Sequence, residues 1–204
     1  MAIEGVNRGL RRVPVAVVWV AGLVPLLLLG LQAALDGLGV DPVKALERQL
    51  GKLALQFLVL GLLITPLRRL AGLDLLRFRR AIGLLAAGYA FLHLLVWLGL
   101  DMQFQVGQIL RDIARRPYLV AGVISLVLLV PLAVTSTDRA MRRMGPLKWR
   151  RLHLLVYPAA LLGAFHYMLL VKGRPPEPLI YAMVIVVLLV LRILRVWVRR
   201  PSRA

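Results

Sequence analysis

With 204 residues, 60% of them hydrophobic, and a mean hydropathy of +0.81, the chain is too apolar to clothe itself in a polar surface, which excludes a soluble globular domain. Its formal charge of +18 would fit a nucleic-acid binder, but the basic residues fall in short loops between apolar runs, where they set membrane topology and leave no basic domain for nucleic acid. Cysteine is absent, so disulfides, thiolate metal sites and cysteine nucleophiles are excluded, and any redox role needs a bound cofactor.

The pattern predicts an all-α, multi-pass integral membrane protein with six transmembrane helices in one domain, 1–204. The first apolar run, 15–35, follows Arg8, Arg11 and Arg12 and is too long for the core of a cleaved signal peptide, so it reads as an uncleaved span. The second, 50–67, is interrupted by Lys52 and Gln56, and Asp41 followed by Pro42 marks a helix start ahead of its membrane portion. Spans at 81–100, 118–134, 149–171 and 179–198 complete the set, each near the ~20 residues that cross hydrocarbon. Between the third and fourth, Asp101 to Pro117 carries Gln103, Gln105, Gln108 and three arginines and reads as a solvated loop, polar enough to meet an external partner. Thr137 or Asp138 opens, and Gly145 and Pro146 end, a small interfacial helix; Pro175, Pro176 and Pro178 fill the fifth turn. Lysine and arginine divide 19 against 8 between alternate sides, which predicts cytoplasmic termini. The pairs Arg68 with Arg69 and Arg142 with Arg143 belong to that signal, with docking of membrane lipids or a soluble partner as an added reading.

All three histidines lie in or at the edge of spans: His93 in the third, His153 and His166 in the fifth. An ionisable group in hydrocarbon is costly and marks a functional site by default. At 1.5 Å per residue, His93 lies ~18 Å and His166 ~25 Å from the inner ends of two parallel helices, in the outer half of the bundle. Two neutral imidazoles facing each other there offer both axial positions of a six-coordinate haem iron. Arg79, on the same helix as His93, returns to within ~40° of its face at the inner end. His153, only ~6 Å along its helix, sits at comparable depth. The inner site would then join one imidazole to one guanidinium, which can pair with a haem propionate, a flavin phosphate or a quinone oxygen. His153 and His166 are ~140° out of phase on a straight helix, and Pro158 between them is the expected kink.

Other readings stay open at this point. Each histidine could instead hydrogen-bond between helices. Zinc lacks a cysteine or nearby buried carboxylate to complete its set. A proton-coupled transporter would carry acids within its spans, whereas Asp36, Asp74, Asp101, Asp138 and Glu177 all fall at segment ends. Trp97, Trp149, Tyr157, Tyr167 and Trp197 read as interfacial anchors or core packing, and Gly83, Gly88, Gly122 and Gly163 as points where helices or a flat macrocycle approach closely.

The ordered set Arg79, Arg80, Ala81, Ile82, Gly83, Leu84, Leu92 and His93, then Arg115, Arg116, Pro117, Tyr118 and Gly122, then Thr135, Ser136, Gly145, Trp149, Leu152, His153, Tyr157 and His166 resembles the MsrQ family. These are haem-binding membrane subunits of the bacterial MsrPQ methionine sulfoxide reductase system, within the ferric reductase-like transmembrane superfamily. The resemblance implies a b-type cytochrome of the bacterial inner membrane carrying one or two haem b groups, with His93, His153 and His166 as the haem-associated, iron-binding histidines. It implies electron transfer to a periplasmic molybdopterin-dependent methionine sulfoxide reductase subunit that repairs oxidised envelope proteins. Flavin mononucleotide (FMN), the quinone pool or a cytosolic flavin reductase are the implied electron sources. The two-haem members of the superfamily carry paired histidines on both helices; here Arg79 stands where a fourth would be. A ferric or other metal-ion reductase with the same haem core is the first alternative, and a non-redox scaffold or transporter the second.

Overall fold

The computed structural model describes residues 2–171 and 176–198, with side chains described to Arg192. Among them the chain is helical throughout: α1 (Ala2–Arg12), α2 (Val15–Ala34), α3 (Pro42–Leu70), α4 (Arg79–Val96), α5 (Val106–Arg115), α6 (Pro117–Val134), α7 (Asp138–Met144), α8 (Pro146–Leu152), α9 (Val156–Leu170) and α10 (Pro176–Val198). Five stretches are long and apolar enough to cross a membrane: Val15–Ala34, Pro42–Leu70, Leu76–Asp101, Pro117–Val134 and Pro146–Leu170. α10, on the predicted sixth span, is a 23-residue helix. Of the sequence expectations, Pro175, Lys172 and the C-terminal Arg199, Arg200 and Arg203 lie outside the described residues, as does the side chain of Trp197.

Local signals explain most boundaries. The Asp41 side chain accepts the Lys44 N–H at 3.0 Å and Pro42 takes the first turn, so α3 starts well before its apolar core, as expected. Thr137 caps α7 by accepting the Ala140 N–H at 3.1 Å, and the helix ends at Gly145 with Pro146 opening α8. Lys52 and Gln56, which interrupt the second apolar run, are answered from α10: Lys52 pairs with Glu177, and the Gln56 amide donates to the Tyr181 hydroxyl at 2.8 Å. Polar side chains in this span thus hold two helices together.

One expectation is corrected. The stretch expected as a solvated loop, Asp101 to Pro117, contains α5, which leaves Val106 and Leu110 exposed beside its arginines; with apolar and basic residues on one short helix, it is built to lie along an interface. The residues ahead of the first span form α1. Asn7 anchors it by donating to the Gly72 carbonyl at 2.9 Å and accepting the Asp74 N–H at 3.0 Å. The fifth span is broken as expected between His153 and His166, in the turn just before Pro158. A 3-10 turn at His153–Leu155 separates α8 from α9, and Pro158 falls in the first turn of α9. A proline there has no N–H for the carbonyl four residues back and its ring crowds that carbonyl, so the disturbance falls on the preceding turn.

The site is positioned by four helices arranged as a diamond. α4 packs chiefly on α3 and α9 chiefly on α6; α3 also meets α9, and α6 meets α4. α4 and α9 therefore occupy opposite corners. Close approach is possible because the central residues are small: Ala86, Ala159 and Ala160 are fully buried, and the Ser125 hydroxyl donates across α6 and α9 to the Ala159 carbonyl at 2.8 Å. Leu58, Ala86, Leu129, Leu132 and Ala159 fill the middle of the diamond. α2 braces α4 from outside, where the Tyr89 hydroxyl donates to the Gly22 carbonyl at 2.6 Å, and α10 covers α3 and α9. Ion pairs tie loops at each end: Lys44 to Asp101 at 2.6 Å at the His93 end, and Arg80 to Asp138 at 2.6 Å at the other. The Arg80 guanidinium holds the Asp138 carboxyl below the usual carboxylate range.

Candidate haem site

His93 and His166 come from opposite corners of the diamond and meet inside it. Their ring centroids are 6.2 Å apart and the planes are inclined at 74°. Each ring is oriented in the same way. His93 Nδ1 lies 2.8 Å from the Glu47 carbonyl on α3, and His166 Nδ1 lies 2.7 Å from the Tyr118 carbonyl on α6. A carbonyl only accepts, so each Nδ1 carries the proton and each Nε2 keeps its lone pair. Among the described residues neither Nε2 enters a side-chain hydrogen bond. This is the orientation that second-shell contacts impose on metal-binding histidines, and it fits axial ligation of a haem iron by both Nε2 atoms.

The two acceptor helices share one local device. One turn beyond Glu47 stands Gly51, and one turn beyond Tyr118 stands Gly122. A Cβ on Gly51 would lie 3.2 Å from His93 Nδ1, and a Cβ on Gly122 would lie 2.8 Å from His166 Nδ1. Only glycine lets the imidazole lie against the helix and reach the carbonyl one turn back. Gly122 was among the glycines singled out in the sequence. Gly51 and the two carbonyls were not, since a backbone acceptor has no residue type to read.

His153 is held differently. Its Nε2 is 3.1 Å from the Thr135 hydroxyl, and that hydroxyl lies 2.6 Å from the Pro131 carbonyl. The single hydroxyl proton is taken by Pro131, so Thr135 can only accept from His153, and the proton sits on Nε2. His153 is thus in the opposite tautomer to the outer pair. Its ring also stacks on Trp149 at 3.9 Å between centroids, and the Trp149 indole N–H donates to the Thr135 carbonyl at 2.9 Å. Trp149, expected as an interfacial anchor or core packing, is a wall of this inner site, and Thr135 is its unforeseen polar partner. Arg79 is near enough for its charge to act on His153, with no hydrogen bond between them among the described residues.

The 3-10 turn lets one span serve both levels. It resets the helix phase between His153 and α9, so that both His153 and His166 are half-buried at inward positions. Between the levels lies the plug of leucines and alanines already described, about 20 Å of helix from one histidine to the other at 1.5 Å per residue.

Residues 50–164 match the family described as ferric reductase like transmembrane component. Arg79, His93 and His153 fall inside the match, and His166 two residues past its end. Over 186 residues, 91% of this chain, the sequence is 45% identical to proteins of Brucella ovis, Brucella suis and Brucella abortus, each named protein-methionine-sulfoxide reductase haem-binding subunit MsrQ. The alignment covers 84% of each of those proteins.

Proposed function

The chain belongs to the MsrQ family of haem-binding subunits, and from that premise we propose that it is a membrane b-type cytochrome whose outer haem is ligated by His93 and His166. The observation that carries this reading is the pair of imidazoles, each fixed by a backbone carbonyl through Nδ1 and each offering Nε2 to the same space. A haem held by these residues would supply reversible one-electron chemistry. The chain orients the two ligands, excludes competing donors by glycine and alanine packing, and keeps the site in low-dielectric surroundings.

We read α10 as the sixth span and both termini as cytoplasmic, which places the His93–His166 level toward the periplasm. Electrons would then pass from a quinone, or from a cytosolic flavin or flavin reductase, to a periplasmic molybdopterin-dependent methionine sulfoxide reductase subunit in the bacterial inner membrane. His153, Arg79, Trp149 and Thr135 would form the unlike inner site where such a donor, FMN or a second haem is received. The commitment of His153 Nε2 to Thr135 leaves Nδ1 with its lone pair, so any ligation by His153 would run through Nδ1.

Purified in detergent after haem-replete expression, the protein is expected to show a dithionite-reducible b-type spectrum. A folded, colourless preparation would overturn the cytochrome reading. Reduction of ferric chelates without any periplasmic protein, and no electron transfer to a methionine sulfoxide reductase subunit, would favour the metal-ion reductase alternative. His153→Gln is expected to leave the absorbance due to His93 and His166 in place and to remove only what the inner site contributes, read as haem per chain before and after.

A further inference from the structure

At the His153 end, two arginines meet with no carboxylate among the residues around them. Arg192 on α10 and Arg69 near the end of α3 line one crevice, together with Thr65, Pro66, Leu70 and Leu191. The Arg192 guanidinium lies over the Tyr157 ring at 5.0 Å and donates through one terminal nitrogen to the Thr65 hydroxyl. Its other terminal nitrogen, Nη1, is buried and has no hydrogen-bond partner among the described residues. Arg69 and Arg79 both stand within electrostatic reach of it. Asp74 faces Arg68 at 3.5 Å through an oxygen that has no hydrogen bond among the described residues, and Asp138 pairs with Arg80 at 2.6 Å. Among the described residues none of Arg69, Arg79 and Arg192 forms an ion pair, although like charges this close repel and a buried guanidinium nitrogen without an acceptor is unfavourable.

We propose that Arg192 and Arg69, with the Thr65 hydroxyl, form a binding site for an anionic phosphate group at the His153 end of the membrane domain. A phosphate answers each unsatisfied feature at once. Its oxygens accept from the Arg192 and Arg69 guanidiniums, its charge offsets both, and its tetrahedral shape lets planar forks approach from different helices. The crevice walls Pro66, Leu70 and Leu191 are apolar, a surface along which the acyl chain of a phospholipid can lie. A free phosphate group from the aqueous side would meet the same donors. The proposal does not depend on haem at the outer site.

The test uses the full chain in detergent in two arms: phosphatidylglycerol titrated and read by native mass spectrometry, and inorganic phosphate titrated and read by thermal melting. Arg192→Gln and Arg69→Gln are each expected to weaken the occupied arm by about tenfold or more, the loss of a charge-assisted contact. Arg192→Lys, which keeps the charge but not the fork, should fall between. Arg142→Gln on α7, on the same side but outside the crevice, should match the wild type. Dependence on Arg192 in the lipid arm identifies a phospholipid, and dependence only in the phosphate arm identifies a soluble phosphate compound. Equal losses for Arg142→Gln and Arg192→Gln would reveal diffuse surface attraction and overturn the site, as would no dependence on Arg192 in either arm. Should Arg192→Gln fail to fold, Arg192→Lys and Arg69→Gln carry the comparison. Haem content is not read, so a negative result leaves the cytochrome assignment standing.

Discussion

His93→Ala is expected to abolish essentially all b-type absorbance of the outer site, and His166→Ala to do the same. The effect is all-or-none because the site has one imidazole on each side, and the third histidine, His153, is stacked on Trp149 at the other end of the bundle. The fold should survive. His93 is half-buried, and the Glu47 carbonyl it releases keeps its helical partner one turn on, at Gly51. Helix content by circular dichroism and elution volume should therefore match the wild type while the spectrum is lost. His93→Gln separates ligation from hydrogen bonding, since a side-chain amide can still donate to the Glu47 carbonyl but is a poor iron ligand. Wild-type absorbance in either alanine variant would disprove the pairing, and absorbance retained in His93→Gln would show that the interhelical hydrogen bond alone matters.

The second large effect is expected at Gly122, a residue that touches no cofactor. Its added Cβ in Gly122→Ala would lie 2.8 Å from His166 Nδ1 and 3.1 Å from Cε1, distances at which the imidazole must move. Moving it breaks the contact to the Tyr118 carbonyl, and with it the constraint that keeps the proton on Nδ1. The expected cost is about 10–100-fold in haem affinity, the usual scale for loss of an orienting partner, with about 1–3 kcal/mol of overpacking in the apoprotein. Gly51→Ala should act in the same direction on His93 but more weakly, because its nearest approach is 3.2 Å. Gly83→Ala and Gly88→Ala are the controls. Nothing lies within 4 Å of a Cβ at either, so alanine should be neutral or slightly stabilising there. Equal haem affinity in Gly122→Ala and Gly88→Ala would remove the positioning role.

Five of the six expected spans and the meeting of His93 with His166 were legible because they depend on quantities that survive without coordinates. Apolar run length fixes which helices form, and rise per residue fixes the depth of His93 and His166 along them. Lys52 and Gln56 weakened the second span in the sequence because their partners, Glu177 and Tyr181, are more than 100 residues away along the chain. Asp101 to Pro117 was misjudged for a different reason. The stretch is too polar on average to suggest a helix in a membrane protein, yet its apolar residues gather on one side of α5.

What the sequence by itself determined, then, is the class: a basic, cysteine-free bundle of membrane-length helices with two histidines at one depth and a third at the other end. Which atom of each histidine is available was decided only by the tertiary structure. Tautomer follows from the group facing Nδ1 or Nε2, and those groups are the Glu47 and Tyr118 carbonyls and the Thr135 hydroxyl, on other helices. The 3-10 turn at His153–Leu155 likewise follows from Pro158 and its missing N–H, but its consequence, two inward-facing histidines on one broken span, needs α3, α4 and α6 packed around it. Hydropathy is a property of the local run, whereas ligand orientation belongs to contacts between distant runs.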